Sequence, residues 1–186
     1  EPEAEEVAGM STHEGKHYYF CSDECKDEFD ASPEWWVPLE LPFAVPATTV
    51  RGLDGHVVPL PIGGGELTIL DFWATWCQPC KKTMGELQRR YEEGGEGPGI
   101  VGLSIDEGEG ALRKVRKAIK KQGIRYPIFL DDQESSAWTA LKVRAVPTMM
   151  LVDRGGNVVW RFTGPDGDER LEEALEGLAE ASASCR

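Results

Sequence analysis

The sequence predicts an α/β layer fold with a mixed central sheet, preceded by a small module of different composition. Three observations carry this. From residue 48 onward short apolar runs alternate with helical patterns; two late runs, TMMLVD (148–153) and VVWRFT (158–163), flank an RGGN turn; and the charge is divided unevenly. Alternating strands and helices imply parallel pairing through crossover helices, and the late hairpin makes the sheet mixed. Residues 1–34 hold eleven Asp and Glu against two Lys, net −9, which leaves only −4 of the chain's −13 for the other 152 residues. That shift marks a boundary. The expected division is a module over 1–36, a linker over 37–47 that follows the proline-punctuated SPEWWVPLELPF stretch, and a main domain over 48–186.

In the main domain, TTVRGLDGHVVPLP (48–61) reads as a β-hairpin turning at Asp54-Gly55. LTILDFW (67–73) is almost wholly apolar, as a strand covered on both faces should be. Helical character follows from about Cys77 to Glu92, then a strand IVGLSI (100–105). GALRKVRKAIKKQG (110–123) is an amphipathic helix with Leu112, Val115 and Ile119 as its apolar stripe and Gly123 as its stop. Its six basic residues read as a solvated face. A short strand at 126–130, a short helix around 134–141, the 148–163 hairpin and a closing helix over 168–181 complete the domain.

Bulk properties exclude several classes of function. A net charge of −13 argues against a nucleic-acid partner. No apolar run reaches the roughly 18–20 residues that span a membrane. The opening EPEAEEVAGM has neither the basic nor the apolar region of a signal peptide, so the chain reads as cytosolic or as exported after processing. Five cysteines are too few for a disulfide scaffold, and Cys185, next to the end, reads as a loose tail thiol.

The remaining four cysteines form two pairs, and the second carries a mechanism. Cys77 and Cys80 flank Gln78-Pro79 directly after an apolar strand and at the start of a helix. Residues three apart lie one turn apart, within the roughly 4.4–6.8 Å Cα separation of a disulfide. A helix N-terminus offers unpaired N–H groups and about half a positive charge, which stabilise a thiolate, the nucleophile of disulfide exchange. Pro79 sits where no intrahelical N–H partner is lost. Half of a zinc site is the alternative, but no His follows His56 and the only later cysteine is Cys185.

With these residues in view, LDFWATWCQPCKK resembles the active-site segment of the thioredoxin superfamily, most of all TlpA-like thiol–disulfide oxidoreductases. The preceding GLDGHVVPL hairpin and the later RAVPTMMLVD segment strengthen the likeness, which covers roughly 42–181. The resemblance implies a thioredoxin-like mixed sheet flanked by helices. It places a buried acid at Asp71, six before Cys77, and a cis-proline at Pro147. A carboxyl desolvated in a covered strand would have a raised pKa and could take the Cys80 proton; an Asp that only hydrogen-bonds to nearby backbone or water is the alternative. Trp76, Pro79 and Val146 are the expected substrate-contacting positions, with Val146 offering its backbone to an extended substrate segment. The implied activity needs no cofactor. Its implied partners are protein thiols and disulfides and a redox partner that recycles the site, with export to the cell envelope.

The first pair lies in GMSTHEGKHYYFCSDECKDEFDASPEWW, which resembles the YHS or TRASH-like metal-binding modules. Cys21 and Cys25, four apart at a helix start, would suit copper or zinc. The first cysteine of the pattern is replaced by Ala8, so His13 or His17 would have to complete a site. Alternatively the module, without metal, would pack on the main domain through residues such as Phe20, Phe29, Trp35 and Trp36, or its thiols exchange electrons with Cys77 and Cys80. A module of roughly 35 residues is below the ~40 at which chains fold unaided. The expected function is therefore thiol–disulfide exchange linked to metal handling, with a copper or heavy-metal chaperone as the alternative.

Overall fold

The computed structural model describes residues 7–37, 39–62, 65–94 and 97–184; Cys185 lies outside them. The chain divides into two compact units, Glu1–Leu39 and Glu40–Arg186.

The first unit is a hairpin and two short helices. β1 (Gly9–His13) pairs antiparallel with β2 (Lys16–Phe20), with Thr12 opposite His17. The helix α1 (Asp23–Ala31) follows, then α2 (Pro33–Trp36). Ser22 begins α1 because its hydroxyl accepts the Cys25 N–H at 3.2 Å, satisfying one orphan donor of the first turn. Phe29 is the centre of the unit, 2% exposed, with the rings of Tyr18 and Phe20 at 4.8 and 5.1 Å and His13 edge-on at 6.3 Å.

The second unit is built on an eight-stranded sheet in the order β3-β10-β9-β6-β7-β8-β4-β5. In chain order these are β3 (Phe43–Ala44), β4 (Thr49–Gly52), β5 (Val57–Pro59), β6 (Leu67–Trp73), β7 (Gly99–Ser104), β8 (Ile128–Asp131), β9 (Thr148–Asp153) and β10 (Asn157–Thr163). β6 is central. It runs parallel to β7 and antiparallel to β9, so Asp71 stands opposite Gly102 on one side and Met149 on the other. The helices α3 (Cys80–Glu93), α4 (Ala111–Gln122), α5 (Ala137–Ala140) and α6 (Gly167–Ser184) complete the layers.

Side chains alternate across a strand, and β6 buries both its faces. Ile69 and Trp73 join one apolar cluster, with Cys77, Cys80, Met84 and Tyr126; Leu70 and Phe72 join the other, with Leu103, Leu141 and Met150. Each fully buried residue of this size contributes about 1.5–3 kcal/mol by leaving water. α4 ends at Gly123, whose left-handed backbone (φ 71°) lets its N–H reach back to the Ile119 and Lys120 carbonyls. Arg113, Lys114, Arg116, Lys117, Lys120 and Lys121 are all exposed along it.

Candidate redox site

The site is held by the loop between β6 and α3. Asp106, just past the end of β7, is 8% exposed and fastens that loop. Its carboxylate accepts the Thr75 N–H at 2.7 Å, the Thr75 hydroxyl at 2.5 Å and the Ser104 hydroxyl at 2.9 Å. The Trp73 carbonyl accepts the Ile105 N–H at 2.9 Å beside it. Hydrogen bonds to a charged group contribute about 1.5–3 kcal/mol each, and stranding buried donors costs more than the bond itself. Asp106→Ala is therefore expected to lower unfolding free energy by about 2–4 kcal/mol in urea titrations. A variant within error of the parent would deny the loop its anchor.

Cys77 and Cys80 are joined by a disulfide, with Cα atoms 5.4 Å apart. The sequence places the helix start near Cys77; in the structure α3 begins at Cys80, with Pro79 as its N-cap. The chain enters the helix through tight turns, Lys81 N–H to Gln78 O at 3.2 Å and Lys82 N–H to Pro79 O at 3.0 Å. Cys77 thus stands ahead of the helix rather than in it, and its sulfur takes the place of a capping oxygen: Cys80 N–H donates to Cys77 Sγ at 3.2 Å. That donor would favour the negative charge of a Cys77 thiolate once the bond is reduced.

Access differs between the two sulfurs. Cys77 keeps 4% of its surface and Cys80 none. Trp76 is 68% exposed, and Gln78 and Pro79 are exposed with it. Val146 is half-buried and packs against the cluster that contains both cysteines; Pro147 is buried, and the peptide bond between them is cis.

Asp71 lies on the β6 face shared by Ile69 and Trp73, the face of the cysteine cluster. It is fully buried, and neither carboxyl oxygen has a hydrogen-bond partner among the described residues. Burial pushes its pKa up from 3.8 to about 7. A carboxyl pushed toward neutrality on the face of the cysteine cluster has the acidity suited to exchange a proton with a thiol within reach.

Residues 43–161 match the AhpC/TSA family. The chain belongs to the AhpC/TSA family. The thiol-disulfide oxidoreductase ResA of Bacillus cereus is 34% identical over 143 residues, 75% of this chain and 79% of the relative. Among solved structures, StoA from Bacillus subtilis is similar at 28% identity and a TM-score of 0.58, covering 70% of this chain and 98% of StoA. A thiol:disulfide interchange protein from Bacteroides sp. is similar at 26% identity and a TM-score of 0.59, covering 73% and 90% of the two chains. These relatives and the bonded pair support thiol–disulfide oxidoreductase function for this member of the AhpC/TSA family.

Ahead of its AhpC/TSA region, residues 8–40 match the YHS domain. The residues present do not fit a multi-thiolate metal centre. Cys21 and Cys25 are exposed free thiols, and Ala8, the position of the missing cysteine, gives only its N–H, to Phe20 O at 2.8 Å. His13 lies edge-on to Phe29, and the exposed His17 ring meets the Thr12 hydroxyl at 3.0 Å. Among the described residues no three His, Cys, Asp or Glu side chains are grouped to share an ion. Among the described residues His13 and His17 are in contact with Phe29 and Thr12, and neither is grouped with Cys21 and Cys25.

Two residues of the redox unit carry no sequence signal of their own. Asp106 reads as one of many acids, and Tyr126 as part of a strand; Asp106 meets Thr75, and Tyr126 the charge of Asp71, only across the fold.

Proposed function

We propose that this protein reduces disulfides in other proteins, with Cys77 as nucleophile, Cys80 as resolving thiol and Asp71 as the base that serves Cys80. The observation that supports this most is a disulfide between Cys77, which keeps 4% exposure and whose sulfur accepts a helix-entry N–H, and Cys80, which is wholly buried.

In the reduced protein, Cys77 thiolate attacks one sulfur of a substrate disulfide; the other substrate sulfur leaves as a thiolate and a mixed disulfide forms. Asp71 carboxylate takes the proton of Cys80. Cys80 thiolate then attacks Cys77 Sγ and expels the second substrate thiolate. Two electrons have passed to the substrate, and the Cys77–Cys80 bond seen in the structure remains. A dithiol partner restores the site by the same steps in reverse. Val146, ahead of Pro147, offers its backbone to an extended substrate segment, and Trp76 and Pro79 form the exposed rim. The cell envelope, where substrate disulfides persist, is the proposed place of work.

Insulin reduction by dithiothreitol tests the activity. Catalytic amounts of the protein are expected to bring B-chain precipitation well ahead of the uncatalysed control. The reduction potential should lie nearer the roughly −270 mV of dithiol reductants than the roughly −120 mV of strong oxidants. A potential at the oxidising end would reverse the direction. Insulin left unreduced, with thiolate absorbance rising on addition of Cu(I), would favour a metal carrier instead.

A further inference from the structure

Gly102 marks an unusual place beneath the redox pair. It stands opposite Asp71 in the parallel β6–β7 register, and its bare Cα lets other groups close in. A Cβ there would lie 2.4 Å from Ile128 Cδ1, 3.0 Å from Tyr126 Cε2 and 3.4 Å from Trp73 Nε1. Glycine is what allows the tyrosine ring and the indole nitrogen to sit against this strand. Tyr126 is 2% exposed and Trp73 not at all. Neither the Tyr126 hydroxyl nor the Trp73 N–H has a hydrogen-bond partner among the described residues, and the same holds for both oxygens of Asp71.

Buried polar groups without partners are rare, because each forfeits its hydration. Here donors and acceptor are gathered around one backbone position, so coincidence is a poor account. Tyr126 also responds electrostatically to Asp71: burial raises the tyrosine pKa, and the aspartate charge raises it further. A phenol within the field of a carboxylate keeps its proton and can turn that O–H toward the charge, since a hydroxyl rotates freely.

We propose that Tyr126 is a positioning residue of the redox site, its hydroxyl answering the negative charge on Asp71 while that carboxylate waits for the Cys80 proton. The inference rests on the proposed role of Asp71. It explains how a dry pocket holds a base at all. An ionised carboxylate with no donor is strongly disfavoured there, whereas one oriented O–H supports it electrostatically in a medium of low dielectric constant.

Apart from the indole N–H of Trp73, which does not ionise, the other groups around Asp71 leave this role to Tyr126. The neighbouring strands place Gly102 and Met149 opposite it. The loop before α3 and the start of α3 bring Cys77 and Cys80 to the same face. On α3 and α6, Lys82 and Asp168 pair with each other at 3.6 Å. Burial is the one cause that shifts Asp71, with no cation opposing it among the described residues.

The test is Tyr126→Phe in the full chain, which keeps the ring and removes only the unpaired oxygen. Two readouts are compared across pH: the Asp71 carboxyl carbon shift by NMR in the reduced protein, and the single-turnover rate at which Cys80 resolves a glutathione adduct on Cys77. The proposal expects both midpoints to move up by about one pH unit, so the rate on the acid limb falls about tenfold, the effect of losing one oriented O–H dipole near a buried charge. It also expects Tyr126→Phe to leave the profile unchanged when Asp71 is already Asn. A tyrosine that merely packs would alter thermal stability and leave both midpoints in place; that result overturns the proposal. An equal shift in the Asp71→Asn background overturns it too. The carboxyl titration does not depend on catalysis, so this inference fails separately from the oxidoreductase reading, which insulin reduction tests.

Discussion

Asp71→Asn is expected to make the protein more stable above neutral pH and slower in exchange. The aspartate titrates at about 7 in the fold against 3.8 ordinarily. Between those values the folded protein keeps a proton that the unfolded chain has released. Stability therefore falls as pH rises from about 4 to about 7, by up to about 1.4 kcal/mol per unit, and the loss is complete above the folded value. Asparagine cannot ionise, so the variant escapes this loss. Urea unfolding of the oxidised protein should find variant and parent alike near pH 4. At pH 8 the variant should lead by about 2–4 kcal/mol, the lower figure allowing for an amide that is itself buried without partners. The same change removes the base for Cys80, and resolution of a mixed disulfide at pH 7 should slow by about 10²-fold. Stability curves that run parallel from pH 4 to pH 8 would mean that the carboxyl is not desolvated as its burial implies. A stabilised variant with unchanged resolution would leave the burial standing and deny Asp71 its chemical part.

Why this trade-off was legible in part from sequence alone is a matter of range. LTILDFW is apolar on both alternating faces, so its lone acid had to be buried wherever the strand was central. The cysteine pair, the α4 stripe and the Gly123 stop are equally local, because spacing and backbone preference act within a turn or two. The start of α3 was less so. A CxPC segment reads as a helix from its first cysteine, but the two tight turns around Gln78 and Pro79 delay the helix to Cys80, and only then does Cys77 Sγ receive a backbone N–H. β3 escaped notice because two residues carry no periodicity. Asp106 and Tyr126 escaped because Thr75, which Asp106 fastens, and Asp71, whose charge acts on Tyr126, lie 31 and 55 positions away in the chain, brought close by the β6–β7 pairing and by the segment leading into β8. In the first unit, Phe29 was legible as a packing aromatic, but its place at the centre depends on Tyr18 and Phe20 arriving from the hairpin.

Cys80→Ser is expected to trap substrates that Cys77→Ser never holds. The asymmetry follows from access: Cys80 has no exposed surface and cannot meet another protein, while Cys77 retains an exposed edge beside Trp76. In Cys80→Ser, Cys77 still attacks a substrate disulfide, and the serine hydroxyl is too weak a nucleophile to displace what it captured. The mixed disulfide should therefore accumulate, visible as a stoichiometric mass increase with insulin or oxidised glutathione that dithiothreitol reverses. In Cys77→Ser the first attack is lost, turnover should fall by at least about 10³-fold, and no adduct should form. Alkylation of Cys80→Ser with iodoacetamide across pH should place the Cys77 thiol below the roughly 8.5 of an ordinary cysteine, as expected of a sulfur that accepts a helix-entry N–H. Adducts of equal yield in both variants would contradict the burial of Cys80. An ordinary thiol titration at Cys77 would mean that the Cys80 N–H, close as it is in the oxidised state, gives the reduced sulfur no help, and the nucleophile would need another source of activation.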